Sequence, residues 1–299
     1  MSNEPITTVL SSAASYNLTD LATVKDELEV DAGDTGNDAW LTRALGQVSS
    51  AVMNDTNRVF APEFVQDLFD IRRARYQVPN GQCVLQLSRW PVLAVTSVVI
   101  SLVGQNAPLS LVENTDFRVD YATGEIYRLN SDTGTVSAWE ALPVAVRYSG
   151  GYGAAVSEAH TVPATPFQVT VTQAATFSCD QQVSYVSSGL PLVRVASGPT
   201  VGQYSVSAAG VYTFAAADTS KALTFAYATI SVPSDLVDAT LQLITARFRA
   251  KGRDPSLIQR DTPGLGTERF WFGGAPGQAG PFPPSIAGML DNYKVPVVS

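Results

Sequence analysis

The sequence predicts an α+β fold: a small helical bundle with a β-sheet or hairpin region, carrying an inserted all-β sandwich and ending in an extended tail. Three observations predict it. Apolar residues recur at helical spacing near the N-terminus and again only after Ile230. Between Tyr152 and Val232 the pattern alternates at strand period with almost no charge. From Asp254 the chain turns rich in proline and glycine. A helical signal interrupted in this way reads as one domain inserted into another. The expected divisions are a flexible arm over 1–15, a discontinuous domain over 16–153 plus 231–253, a β-sandwich over 154–230 and a tail over 254–299.

Each element follows from local chemistry. Thr19 is placed to cap a short helix carrying Leu21, Val24 and Leu28, with Asp20 suited to the positive helix start. The turn residues of Asp31–Gly36 lead to Asn37, a candidate cap for a longer helix with Leu41, Ala44, Leu45, Val48 and Val52 on one stripe. After Phe60 the period changes. Cys83, Leu85 and Leu87 alternate, Trp90-Pro91 makes a corner, and Val95–Leu102 continues as a buried strand. Phe117, Val119 and Tyr121 then turn through Gly124 into Ile126 and Tyr127, and Val144, Val146 and Tyr148 close the sheet. Ser234 is placed to cap a last helix with Val237, Leu241, Ile244 and Phe248 on one face, ending in Arg247, Arg249 and Lys251 with Gly252 as terminator.

The intervening segment reads as short strands at regular spacing, which favours a small sandwich of immunoglobulin-like topology without the antibody-type core, since it has one cysteine and no tryptophan. The tail carries aromatics at Phe270, Trp271, Phe272, Phe282 and Tyr293. Large aromatics anchor interfaces, so this tail is expected to order against another surface or over its own domain.

Composition excludes several classes of function. A net charge of −8 disfavours a protein that grips nucleic-acid phosphates, while remaining compatible with a wall that DNA slides past. Cys83 and Cys179 are far apart, so no disulfide framework is expected. Neither a signal peptide nor a membrane span is expected. His160, the one histidine, lies beside Val162-Pro163 and is read as structural, and one histidine with two separated cysteines makes no zinc cluster. Counted from Asp31, a calcium loop would have Gly33 at its third position, Thr35 at its fifth and Thr42 where a bidentate glutamate is needed at its twelfth, so Asp31–Asp38 reads as a turn with a helix cap. Asp116, Asp120 and Glu125 sit on or beside a predicted hairpin and read as solvated. No nucleophile elbow or phosphate loop is present, and Gly264-Leu-Gly266 lacks a third glycine. An enzyme is not expected, and no cofactor or metal is implied.

A resemblance joins the remaining pieces. Leu18-Thr-Asp-Leu-Ala-Thr-Val-Lys-Asp-Glu-Leu, Asp38-Ala-Trp-Leu-Thr-Arg-Ala-Leu with Asn54-Asp-Thr-Asn-Arg58, Arg89-Trp-Pro-Val-Leu-Ala-Val-Thr-Ser-Val, Tyr148-Ser-Gly-Gly-Tyr and Val232-Pro-Ser-Asp-Leu resemble, in order, the head-to-tail connector (adaptor) proteins of tailed bacteriophages. Members of that family usually pass almost directly from the glycine-tyrosine turn to the proline-led helix, and this chain departs there by the whole β-insert.

The resemblance implies a structural virion protein of the neck, assembled in the host cytoplasm. It implies a homo-oligomeric ring of about twelve subunits closed by heterologous contacts, seated between the portal and the tail, stopper or collar proteins. Packaged DNA would pass through the central channel without sequence-specific binding. The expected contacts with portal or an adjacent subunit are Phe270, Trp271, Phe272 and Tyr293. The alternative is a carbohydrate-binding or adhesion protein acting through Tyr185, Tyr204, Tyr212 and Tyr227 of the insert.

Overall fold

The computed structural model describes residues 5–70, 84–101, 108–140, 142–251, 259–262, 266–269 and 282–295. The chain divides into two compact units, one of Met1–Ser15, Ala61–Ser231 and Val298–Ser299 and the other of Tyr16–Phe60 and Val232–Val297. The sequence boundary at residue 153 falls inside the first unit.

Among its described residues, that first unit is all β apart from short 3-10 turns. Its first strands are β1 (Ile6–Ser11), β2 (Glu63–Asp70), β3 (Val84–Gln86), β4 (Val92–Ile100), β5 (Leu109–Leu111), β6 (Phe117–Asp120), β7 (Glu125–Leu129), β8 (Val136–Ser137) and β9 (Pro143–Gly150). A five-stranded antiparallel sheet runs β1-β2-β9-β4-β5, and a second sheet runs β3-β7-β6 with β8 also on β7. Period-2 alternation explains the core they share. Val65 and Phe69 of β2, Val98 and Ile100 of β4, and Val144, Val146 and Tyr148 of β9 meet Leu85, Phe117, Val119 and Ile126 in one buried cluster.

The chain then forms β10 (Gly153–Thr161), β11 (Gln168–Thr170), β12 (Phe177–Tyr185), β13 (Val193–Arg194), β14 (Gln203–Val206), β15 (Val211–Phe214) and β16 (Ala222–Ile230). These make a three-stranded sheet β10-β16-β12 and a four-stranded sheet β11-β15-β14-β13, in which β13 and β14 are parallel. Phe177, Val183, Tyr204, Tyr212, Phe214, Leu223, Phe225 and Tyr227 fill the space between them. Packing of Phe64 against Cys179 and Ala228, with Ser178 Oγ donating to Pro62 O at 2.8 Å, joins this half of the unit to the first.

Glycine is required where the halves meet. A Cβ on Gly150 would lie 2.5 Å from the Arg89 carbonyl oxygen, and Gly151 has φ +136° with Pro62 against it.

The second unit holds the helices α1 (Leu21–Glu27), α2 (Asp38–Thr56), α3 (Ser234–Arg249) and α4 (Pro284–Leu290), with the hairpin β17 (Gln259–Thr262) and β18 (Gly266–Arg269). The expected stripe of α2 is buried: Leu41, Ala44, Leu45, Val48 and Val52. It ends at Asn57 in the left-handed conformation, φ +51°. On α3 the buried face is Leu236, Ala239, Thr240, Leu243 and Ile244, rotated from the expected one. Val237, Leu241 and Phe248 are half-buried at its margin, and Phe248 meets Trp40 edge-on at 5.7 Å.

Several expectations are corrected. The fold is mostly β, not a helical bundle with a β region and a β insert. The strands between Phe60 and Gly150 build two sheets with their own core instead of a β-sheet or hairpin region belonging to a helical bundle, because alternation reveals a strand but not which layer covers it. Ile6–Ser11, expected in a flexible arm, form β1, held to β2 by backbone pairing that an uncharged Ser/Thr-rich segment does not advertise. Part of the expected extended tail is helical: Ile286 and Leu290 give α4 a buried face. Asp20, not Thr19, caps α1, accepting from Thr23 N at 2.7 Å. Neither Asn37 nor Ser234 makes a side-chain cap.

Candidate functional site

Two of the segments that carry the connector resemblance meet around a buried carboxylate. Asp67 has core parity on β2, between Val65 and Phe69, and is fully buried. Its Oδ1 accepts from Thr7 Oγ1 at 2.7 Å and Ser88 Oγ at 2.8 Å, and its Oδ2 from Ser88 N at 2.8 Å and Tyr148 Oη at 2.8 Å. Tyr148 Oη in turn accepts from Arg89 N at 2.9 Å. Burial first, and then the Asp67 charge, push the Tyr148 hydroxyl well above the usual phenol range, so it serves as a fixed donor. Arg89 Nε donates to the buried Glu63 Oε2 at 2.8 Å. The arrangement ties β1, β2, β9 and the turn before β4 together, and every acceptor on Asp67 is engaged by protein. It positions backbone and leaves no reacting group free.

A second buried carboxylate lines a cavity of about 210 Å³ in the same unit. Asp180 on β12 accepts from Tyr204 Oη at 2.7 Å and Tyr212 Oη at 2.9 Å, and Arg194 Nη1 lies 3.9 Å away. Burial raises the Asp180 pKa despite the opposing tyrosine hydrogen bonds and Arg194. Ser11–Ala14, Ser178 and Ser207 complete the wall. With both its oxygens satisfied, Asp180 holds the two tyrosines in register, and the cavity contains no activated nucleophile.

In the helical unit, the loop considered for calcium carries an internal cation. Lys25 is buried, and its Nζ donates to Asp34 O at 2.8 Å and Ala32 O at 3.2 Å and pairs with Asp38 Oδ1 at 2.7 Å. The ammonium engages two carbonyl oxygens and a carboxylate of the loop, so the loop is a lysine-centred turn.

The sequence-predicted residues fare differently. Phe270, Trp271 and Phe272 lie outside the described residues, as does Cys83. Tyr293 turns onto its own unit: its Oη donates to Asp235 at 2.7 Å and its ring meets Phe60 edge-on at 5.8 Å. Beside it, Val295 N donates to Thr56 O at 3.0 Å and Lys294 pairs with Asp55 at 3.3 Å. Tyr204, Tyr212 and Tyr227 are core residues, and Tyr185 donates to Asp218 at 2.8 Å, so the four form no sugar platform. His160 on β10 lies 2.9 Å from Glu158 and edge-on to Phe225 at 5.3 Å.

The hairpin carboxylates serve turns. Asp120 accepts from Thr123 N and Ala122 N, which lower its pKa, and Asp116 accepts from Val112 N at 2.9 Å. No cluster of three or more metal-ligating side chains occurs among the described residues, and no helix among them is long and apolar enough to cross a membrane.

Asp67, Asp180 and Lys25 escaped the sequence reading. Two had a visible signal: Asp67 falls on the apolar parity of its strand, and Lys25 falls on the apolar stripe of α1, four residues after Leu21. Asp180 had none, because register shifts between Phe177/Cys179 and between Asp180/Gln182 break the alternation of β12.

No protein-family profile and no curated protein matches the chain. Among solved structures, the chain is similar to one described as the neck of an empty GTA particle computed with C6 symmetry and to one from the virion of a native gene transfer agent particle. Each has 11% identity and a TM-score of 0.42, with 98% of this chain and 97% of the other covered. A correspondence this loose fixes neither fold nor role.

Proposed function

We propose that the chain is a structural component of a phage-type virion neck, a connector (adaptor) ring seated between portal and tail with a central passage for DNA. One observation carries the reading. The five segments that resemble the connector family in sequence order fall into two spatial groups. Leu18–Leu28, Asp38–Leu45 with Asn54–Arg58, and Val232–Leu236 lie in one helical unit. Arg89–Val98 and Tyr148–Tyr152 lie on the neighbouring strands β4 and β9 and the turns beside them, joined by the Tyr148 hydroxyl on Arg89 N. The helical group brings together segments more than a hundred residues apart in sequence, and this grouping supports the reading.

The acidic balance suits a DNA passage, since a wall of like charge does not hold the genome. Phe270, Trp271 and Phe272 make the portal or adjacent-subunit contact, with Tyr293 anchoring the far side of that segment to Asp235. The β10–β16 half meets tail, stopper or collar components.

Negative-stain microscopy of the purified chain mixed with portal tests the assignment, together with deletion of the gene in a producing host. Rings on portal and filled heads without tails are expected. Normal tailed particles from the deletion overturn it. Retained portal attachment after removal of residues 255–299 overturns the aromatic contact alone.

A further inference from the structure

The five-stranded sheet ends on two strands that carry neither of the chemical guards, charge and proline, by which soluble proteins protect sheet edges, although β5 is only three residues long and the β1 register shifts between Val9 and Ser11. β1, Ile-Thr-Thr-Val-Leu-Ser, and β5, Leu-Ser-Leu, contain no charge and no proline. Among the described residues each pairs on one side only, β1 with β2 and β5 with β4. Large apolar side chains are uncovered at both ends: Ile6 is 68% exposed and Val9 44% on β1, and Leu109 is 44% exposed on β5 with Val112, the residue after the strand, at 59%. Val9 is the clearest case, since it pairs with the fully buried Val65 and shares its face, yet the core stops short of it.

We infer that the occupant of each edge is a second copy of this chain, β1 of one copy pairing with β5 of the next. This rests on the ring reading above and supplies its subunit contact. Strand direction and charge select the arrangement. All four pairings across the sheet are antiparallel, so β1, β9 and β5 run the same way. Two copies related by the small rotation of a many-membered ring keep their strand directions, and β1 meets β5 in parallel. The contact is heterologous and repeats, as a closed ring requires. Pairing of β1 with β1 needs a two-fold axis and stops at a dimer, leaving both β5 edges open. Copies of a chain with net charge −8 repel, and two uncharged edges are where they approach at least cost. Each junction adds backbone hydrogen bonds and covers Ile6, Val9, Leu109 and Val112.

Two full-length variants test it by analytical ultracentrifugation: Ile6→Lys with Val9→Lys to block β1, and Leu109→Lys with Val112→Lys to block β5. All four side chains are exposed, so the variants are expected to match the wild type in far-UV circular dichroism and melting temperature. The wild type is expected to form oligomers larger than dimers, each variant alone to sediment as one chain, and an equimolar mixture to give dimers and nothing larger. In an otherwise unaltered chain, Thr8→Cys with Ser110→Cys is expected to give an oxidative cross-link ladder that neither single substitution gives. Dimers from the β5-blocked variant alone, oligomers from either variant alone, a monomeric wild type or the absence of a ladder overturns the edge pairing. None of those results touches the neck assignment, which portal binding and the gene deletion decide separately.

Discussion

Tyr148 donates its hydroxyl proton to Asp67 Oδ2 at 2.8 Å, and neither residue has any exposed surface. The hydrogen bond spans 81 residues of sequence and closes the β2–β9 pair at its core face. Tyr148→Phe keeps the ring and removes the donor. The buried carboxylate then loses one of four hydrogen bonds, and Arg89 N loses its acceptor. A destabilisation of about 2 kcal/mol is expected, read as a lower urea midpoint with unchanged slope.

Asp180 makes stability depend on pH in a defined direction. Its folded pKa is raised above the ordinary 3.8, by burial first, so in the window between the two values the folded chain holds more protons than the unfolded chain. Its contribution is full below 3.8 and is lost as pH rises through the folded value. Asp180→Asn keeps an acceptor for Tyr204 or Tyr212 and removes the titration. Urea midpoints of the two proteins, measured as pH rises from 3.8, are expected to move in the variant's favour. Parallel curves would refute the assignment.

Lys25 is the cation of its own loop, and replacing it with methionine leaves Asp38, Asp34 O and Ala32 O facing an apolar chain. Breaking one side of such a pair costs on the order of 3 kcal/mol. Thermal melting of Lys25→Met is expected to show this loss, with Lys25→Arg recovering part of it.

Cys179 is inert for a physical reason. Burial, with Asp180 and Glu63 adding to it, pushes its thiol up to about 12, so almost no thiolate forms near neutrality. In a Cys83→Ser background, Ellman's reagent is expected to react with the native protein only as fast as it opens, and stoichiometrically in denaturant. Rapid labelling of the native chain would contradict the burial.

The reach of sequence periodicity is visible element by element. The apolar stripe of α2 was read residue for residue, because a helix that packs one face carries its answer in a single local window. For α3 the spacing predicts the helix but a rotated face, since Val237, Leu241 and Phe248 fit the same period as the buried residues and only the packing partners choose between them. β1 was missed, because its stability comes from backbone pairing to β2, more than fifty residues away.

By itself the sequence determined where strands alternate and helices stripe, the acidic surface, the lack of catalytic motifs, and the ordered segments that resemble connectors. Only the tertiary structure decided that the strands on both sides of Gly150 form one β unit apart from the helices, that Asp67, Asp180 and Lys25 are buried and satisfied, and that Tyr293 turns inward. Periodicity is a property of neighbouring residues, whereas layer order, burial of a charge and the partner of a strand edge depend on contacts between residues that the chain brings together only on folding.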